Sequence, residues 1–444
     1  MPREAFRLRR IHLTFAGILA ITLILWIIAE APLWLGDSST RKAGDAIMQG
    51  TGVLAIVLMS LSLILAVRPR IVEPWLGGLD KMYRLHKWLG IANLIVAGIH
   101  WQAYGLVRTG GHGEAPVVPV TRTWQGTFPD QHGMAVSLGD LAWKLVLVLS
   151  ILALVKRFPY RWFFKTHWLF VPTYLILVVH STVLLDGRYW LSPLGPVLAV
   201  LVLLGATAGI LRLLHSFSVV DARAMGEIVG LTYHEAVRML EVEVQLDSRW
   251  KGHEAGQFAF LTVRADREPH PFTIIRAWTG DGRISFLIKE LGDYTRGLAA
   301  RLKVGDEVKV EGPWGQFDFE GGARRQIWVG GGVGVTPFIA RMQHLRQEPD
   351  GRPVDFFFST PAPYAVGDDL LTRDAAAAGV NLHLHYSDSA GFLTADHLLR
   401  AVPQLAEADI WFCGPGALGS ALKDGLQRLG IPAERFHQEL FEMR

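Results

Sequence analysis

Residues 86–107 read HKWLGIANLIVAGIHWQAYGLV and residues 167–185 read HWLFVPTYLILVVHSTVLL. Each is an apolar run of the length an α-helix needs to cross hydrocarbon, roughly 20 residues, and each holds two histidines. Ionisable groups inside a membrane are costly and usually functional. A lone one reads as a packing or capping residue, whereas two matched pairs do not. His86 and His100 stand fourteen residues apart, which on a helix is about 21 Å of rise and leaves them within about 40° of each other. His167 and His180 stand thirteen apart, about 20 Å of rise, so the two pairs match in depth. The azimuths match less well, because thirteen residues of ideal helix leave His167 and His180 about 140° apart. Pro172 lies between them and predicts a kink that changes the phase; the alternative is two levels set at different angles around the helix.

Outward from these runs, six apolar stretches occupy the first half: roughly Ile11–Leu35, Gly50–Val67, His86–Val107, Leu138–Val155, His167–Leu185 and Pro193–Leu214. The first follows Arg7, Arg9 and Arg10, but it exceeds the ~7–15 residues of a signal-peptide core and is read as a retained helix. The rest of the 444-residue chain reads as soluble, which reconciles a mean hydropathy of +0.26 with 19% charged residues. Lys and Arg number twelve in residues 1–10, 68–85 and 156–166 and five in the alternate connections. That bias places the N-terminus and the C-terminal half in the cytoplasm of a multi-pass cell-membrane protein. The same clustering explains a net charge of +3 and a pI near 8.9 without nucleic acid. The single Cys413 excludes a disulfide framework and any Cys-based zinc or iron–sulfur site.

In this topology the third and fifth spans both run outward. His86 then meets His167 near the inner face and His100 meets His180 near the outer face, two imidazoles per level, as two bis-histidine haems b require. A six-coordinate iron has no open position and serves as an electron carrier. Tyr174 is read as a core or lipid-facing aromatic rather than a filler between the macrocycles, and His12 and His215 as interfacial residues.

Beyond Phe217 the pattern changes to short strands and Gly turns, as in Met239–Leu246, Gln257–Val263 and Arg283–Ile288, predicting a small antiparallel barrel. It contains His270-Pro271-Phe272-Thr273, then Lys289 with Gly292-Asp293-Tyr294-Thr295, then Glu311-Gly312-Pro313-Trp314-Gly315. Strands and helices then alternate. The strand Gln326–Val329 runs into Gly330-Gly331-Gly332-Val333-Gly334-Val335-Thr336-Pro337 and a helix, the arrangement that lets backbone amides approach a pyrophosphate. Further strands at Val354–Phe358, Asn381–Tyr386 and Ile410–Cys413, the last followed by Gly414-Pro415, predict a doubly wound dinucleotide domain.

The motifs HPFT, GDYT, GPWG, GGGVGVTP and CGP, in this order, resemble the FAD- and NAD(P)H-binding halves of the ferredoxin–NADP reductase superfamily. Joined to six spans with two histidine pairs, the chain resembles the NADPH oxidase and ferric reductase family along essentially its whole length. The resemblance implies a multidomain fold: an all-α six-helix transmembrane bundle (1–216), an antiparallel β-barrel FAD domain (217–320) and an α/β doubly wound NAD(P)H domain (321–444). It implies that His270 to Thr273 line the isoalloxazine and ribityl of FAD, and that Lys289 and Gly292 to Thr295 hold its pyrophosphate. Gly330 to Thr336 would cradle the coenzyme pyrophosphate, and Cys413, Gly414 and Pro415 would lie near the nicotinamide. Phe441 corresponds best to the family's flavin-stacking terminal aromatic, here extended by Glu442-Met443-Arg444. Relatives that use NADPH often place an Arg after the second strand, where this chain has Ser359-Thr360-Pro361. NADPH and NADH are thus evenly matched as donors, with family habit on the side of NADPH.

The implied activity is transfer from NAD(P)H through FAD and two haems to molecular oxygen, giving superoxide. The alternatives are a ferric or cupric chelate, or a quinone or extracytoplasmic protein. The outer segment 108–137 has His112, Glu114, Asp130 and His132 but no recognisable metal cluster, which favours oxygen. A transporter with a nucleotide-sensing domain is a further alternative. The sequence has no obvious calcium-binding loop or long regulatory tail, so constitutive activity is expected, and no obligate regulatory subunit is evident.

Overall fold

The apolar runs fold as long helices, as backbone groups in a hydrocarbon phase require, and the alternating patterns fold as two sheets. The structure is a computed structural model that describes residues 3–36, 43–109, 126–155, 157–216, 223–263 and 268–439. Phe441, His112 and Glu114 lie outside the described residues. The chain divides into two compact units, one helical and one sheet-bearing, the second comprising mainly Ala222–Arg444.

The helical unit contains α1 (Arg3–Gly36), α2 (Ala43–Ala66), α3 (Leu79–Thr109), α4 (His132–Leu154), α5 (Tyr160–His167), α6 (Phe170–Leu184) and α7 (Leu194–Ser216). Among the described residues five spans are long and apolar enough to cross a membrane: Arg10–Leu35, Ala43–Ala66, Pro129–Leu154, Trp162–Leu184 and Leu194–Leu214. The expected third span, in α3, has 31 residues and ample length, but His86, Asn93, His100 and Gln102 dilute its apolar character. The fifth span is two helices in line. Pro172 has no N–H to offer the Trp168 carbonyl one turn back, and Val171 N bonds that carbonyl instead at 3.1 Å. The chain therefore turns at Trp168–Leu169 before α6 resumes.

Tyr174 is fully buried, and its hydroxyl shares a 2.7 Å hydrogen bond with Ser60 Oγ and donates to the Val202 carbonyl at 3.2 Å. A Cβ on Gly205 would stand 2.5 Å from that hydroxyl, so Tyr174 is a core residue joining α2, α6 and α7. At the far end of α6, Gln49 donates to the Leu184 carbonyl (3.0 Å) and accepts from the Asp186 amide (3.1 Å). This clip ties the start of α2 to the end of α6. Nearby, Glu30 is buried and accepts from the Tyr189 hydroxyl and from Trp34 Nε1.

In the second unit β1 (Ala224–His234), β2 (Met239–Leu246), β3 (Phe258–Val263), β4 (His270–Thr273), β5 (Arg283–Lys289) and β6 (Glu307–Trp314) form an antiparallel sheet in the order β4-β3-β6-β1-β2-β5. A bridge between Ile274 and Phe286 brings its two edges together. Strand β2 alternates buried and half-buried residues, and Val242, Val244, Ile284, Phe286, Val308 and Val310 meet in its core. A parallel sheet follows, with β7 (Arg325–Gly331), β8 (Val354–Thr360), β9 (Asn381–Tyr386), β10 (Ala408–Cys413) and β11 (Phe436–Gln438) in the order β11-β10-β7-β8-β9. Helices α8 (Thr336–Gln347), α9 (Ala365–Ala377) and α10 (Gly416–Arg428) connect it. The order reverses between β7 and β10, and such a reversal opens the crevice where open α/β sheets bind ligands.

Candidate functional site

The four histidines of the helical unit come together in two pairs. The His86 and His167 ring centres are 6.0 Å apart with planes at 62°, and those of His100 and His180 are 6.2 Å apart with planes at 90°. A metal–imidazole bond is about 2 Å, so two imidazoles on opposite sides of one metal ion hold their ring centres about 6 Å apart. Both levels have that spacing. The turn at Trp168–Leu169 re-phases His167 against His180, so a thirteen-residue interval on one side pairs with a fourteen-residue interval on the other.

Backbone carbonyls orient the rings. His86 Nδ1 donates to the Ser62 carbonyl at 3.0 Å, His100 Nδ1 to the Met48 carbonyl at 2.9 Å, and His180 Nδ1 to the Ala135 carbonyl at 2.8 Å. A carbonyl can only accept, so each of these rings carries its proton on Nδ1 and keeps the Nε2 lone pair for a metal. His167 Nδ1 is buried without a hydrogen-bond partner. Glycines make room for two rings: a Cβ on Gly139 would stand 2.3 Å from His180 Cε1 and Nδ1, and one on Gly52 would stand 3.1 Å from His100 Cε1. The donor set, the spacing and this clearance fit a haem iron at each level.

In the second unit, Gly330 and Cys413 are register partners at the carboxyl ends of β7 and β10. The turns that follow interlock: a Cβ on Gly334 would stand 2.2 Å from the Cys413 carbonyl oxygen, and one on Gly331 would stand 2.8 Å from Pro415 Cδ. Gly332 has φ +57°, a left-handed conformation open to glycine, and a Cβ there would lie 3.7 Å from Lys289 Nζ. The Lys289 ammonium is therefore beside this glycine turn. Val335 and Thr336 are buried at the start of α8, and Thr336 Oγ1 donates to the Val333 carbonyl at 3.1 Å. Ser359 pairs with Gly331 one strand over.

His270 stacks on Tyr294, ring centres 3.4 Å apart, and Phe272 packs against the core of the antiparallel sheet. Pro271 and Thr273 pair with Phe260 and Phe258 along β3. Thr295 Oγ1 accepts from the Leu291 and Gly292 amides, so this hydroxyl and these two amides close a local turn that contains Asp293. Arg301 donates to the Tyr294 carbonyl at 2.8 Å and lies over its ring; its spacing from GDYT gave no sign of this. Glu439 also escaped the sequence reading. It is buried, with Oε1 2.7 Å from where a Gly315 Cβ would be. Burial, and then the Glu439 charge, push the Cys413 thiol up. Its position two residues before Phe441 was the available signal.

Residues 51–178 match the family described as ferric reductase like transmembrane component, and residues 214–318 match an FAD-binding domain. The chain thus joins a ferric reductase-like transmembrane domain to a ferredoxin reductase-like FAD-binding domain. The reductase component of propane 2-monooxygenase from Rhodococcus jostii is 25% identical over 203 residues, covering 42% of this chain and 55% of that protein. The flavohemoprotein of Deinococcus radiodurans is 32% identical over 217 residues, covering 46% and 49%. The chain thus spans about half the length of the curated relatives it matches. Among solved structures, the FAD/NAD-binding domain of a nitric oxide dioxygenase from Vibrio cholerae has a TM-score of 0.43 at 20% identity, covering 49% of this chain and 98% of that one.

Proposed function

We propose that this protein is a six-span membrane NAD(P)H oxidase that moves electrons from cytoplasmic NAD(P)H through FAD and two bis-histidine haems b to molecular oxygen, forming superoxide. The observation that carries this reading is the pair of histidine levels with ring centres 6.0 and 6.2 Å apart. FAD held in the dehydrogenase half would supply the change from a two-electron hydride donor to the single-electron transfers that haem chemistry needs. His86, His167, His100 and His180 would hold the irons, and Nδ1 anchors keep three of the rings, His86, His100 and His180, in a ligating tautomer. The Lys and Arg bias of the connections supports a cytoplasmic dehydrogenase half.

In that half, Gly331, Gly334 and Gly414 let the turns after β7 and β10 close on one another, Gly330 to Thr336 would present backbone amides to the coenzyme, and Lys289 supplies charge beside Gly332. Cys413, Pro415 and Glu439 border the nicotinamide. A buried Glu439 carboxylate suits the carboxamide N–H, and a protonated Cys413 adds bulk without charge. His270 to Thr273, with Tyr294 and Arg301, border the flavin.

The family description supports a second reading, reduction of a ferric chelate by the same path. Purified protein with FAD and NAD(P)H distinguishes them. Superoxide that disappears in His100→Ala supports oxygen as acceptor, and rapid ferric-chelate reduction with negligible superoxide reverses the choice. Activity that appears only with a membrane quinone or protein partner turns the assignment to an electron-transfer subunit. Protein without a Soret band overturns both oxidoreductase readings.

A further inference from the structure

A coenzyme seated on the glycine turn after β7 would carry its 2′ position to a rim of the parallel sheet formed by the end of β8 and the loop that follows. Ser359 and Thr360 end β8, one strand beyond the Gly330–Val335 turn, with Ser359 in register with Gly331 on one side and His385 on the other. A dinucleotide whose pyrophosphate lies on that turn carries its adenosine ribose across the strand ends in this direction. The loop that follows is Pro361-Ala362-Pro363-Tyr364. Its two prolines have no N–H, and the Tyr364 amide donates to Asp368 Oδ2 at 3.0 Å. Of the four loop positions, only Ala362 has an amide N–H left for a phosphate.

The charge on this rim has the same sign as a phosphate. Asp368 is buried in the first turn of α9 and also accepts from the Tyr386 hydroxyl at 2.8 Å. The Asp388 amide donates to the Pro361 carbonyl at 3.0 Å, so the segment after β9 carries a second acidic residue to the same loop. No Lys or Arg occurs between Arg352 and Arg373, or between Arg373 and Arg400. Arg373 Nε donates to the Asp369 carbonyl on its own helix, and His385 Nε2 donates to the Gly391 carbonyl at 2.7 Å.

We propose that the donor is NADH and that this rim discriminates against NADPH, with the Ser359 and Thr360 hydroxyls serving the ribose diol and Asp368 opposing a 2′-phosphate. A doubly wound site of this kind pairs an acid or hydroxyl with a free 2′-OH and a cation with a 2′-phosphate. The proposal rests on the dehydrogenase reading above and sharpens it.

The test is anaerobic stopped-flow reduction of the flavin in the purified full chain with each coenzyme. NADH is expected to exceed NADPH in kcat/KM by at least about tenfold, a difference of ~1.4 kcal/mol, and 2′-phospho-AMP is expected to inhibit less than AMP. NADPH equal to or better than NADH overturns the proposal and leaves the dehydrogenase standing. Failure of both coenzymes to reduce a flavin that dithionite reduces overturns the dehydrogenase reading and the proposal together. Ala362→Arg, on the exposed loop, is expected to raise NADPH kcat/KM at least about tenfold through KM. No gain in a variant with normal flavin content overturns the placement of the 2′ position on this loop.

Discussion

Gly139→Ala provides a direct test of the histidine levels. The new methyl would stand 2.3 Å from His180 Cε1 and Nδ1, against 3.4–4 Å for ordinary contact. The ring must retreat by about 1 Å or more, which breaks or stretches the 2.8 Å bond from Nδ1 to the Ala135 carbonyl. Overpacking costs about 1–3 kcal/mol, and the lost hydrogen bond about 0.5–1.5 kcal/mol. At ~1.4 kcal/mol per decade this weakens haem binding at the His100/His180 level by about 10²-fold. The assay is haem per protein, by pyridine haemochrome, alongside flavin content. The variant is expected to retain about one haem of two, with its flavin still reducible by the coenzyme. Gly133→Ala, on the same helix with nothing within 4 Å of the new Cβ, is the control. Gly139→Ala protein with two haems and unaltered spectra would refute the assignment of His180 as a ligand.

Pro172→Ala restores the N–H that a continuous helix needs, so His167 and His180 move toward the ~140° separation of an ideal helix; loss of one haem by the same assay is expected, and two unchanged haems would assign the break to another cause. Gly334→Ala drives a methyl to within 2.2 Å of the Cys413 carbonyl oxygen and parts the two turns; flavin reduction by the coenzyme should fall at least about tenfold while dithionite reduction is retained. Burial alone would raise Asp409, but the His437 imidazole, 3.5 Å away, and a 2.8 Å hydrogen bond from the Ala323 amide outweigh it and hold the carboxyl below its ordinary value. A depressed carboxylate stabilises the fold above its unfolded pKa, about 3.9, and that stability is lost as pH falls through the lower folded value. Asp409→Asn should therefore be less stable than the native protein at neutral pH by roughly 1–3 kcal/mol and flatten the acid limb of the melting profile; an unchanged Tm at pH 7 counts against this role.

Residue spacing made the four histidines legible, because their pairing depends on helix rise, which sequence counts directly. Their phase was only half legible: Pro172 marked a disturbance, and the turn at Trp168–Leu169 supplied its form. The carbonyls of Met48, Ser62 and Ala135 that orient the rings could not be read, since every residue has a carbonyl and only the packing of α2 and α4 selects these three. The glycine turn after β7 was readable from composition, whereas the fit of Gly334 under Cys413 depends on two strands brought together from distant sequence. Lys289 shows the same limit. Its place beside GDYT in the sequence suggested the flavin pyrophosphate; that the fold of β5 also sets its ammonium beside Gly332 was not readable.

The carbonyls that anchor His86 and His100 belong to Ser62 and Met48 of one helix, and they too are fourteen residues apart. The same interval is thus graduated twice, on two facing helices whose marks coincide. One inserted residue in either helix would rotate everything beyond it by about 100° and leave one imidazole without its anchor. Only a matched change in both could alter the gap between the levels. That gap is a constant of the scaffold, so under the proposed function any adaptation of electron transfer between the levels would act on driving force rather than on length.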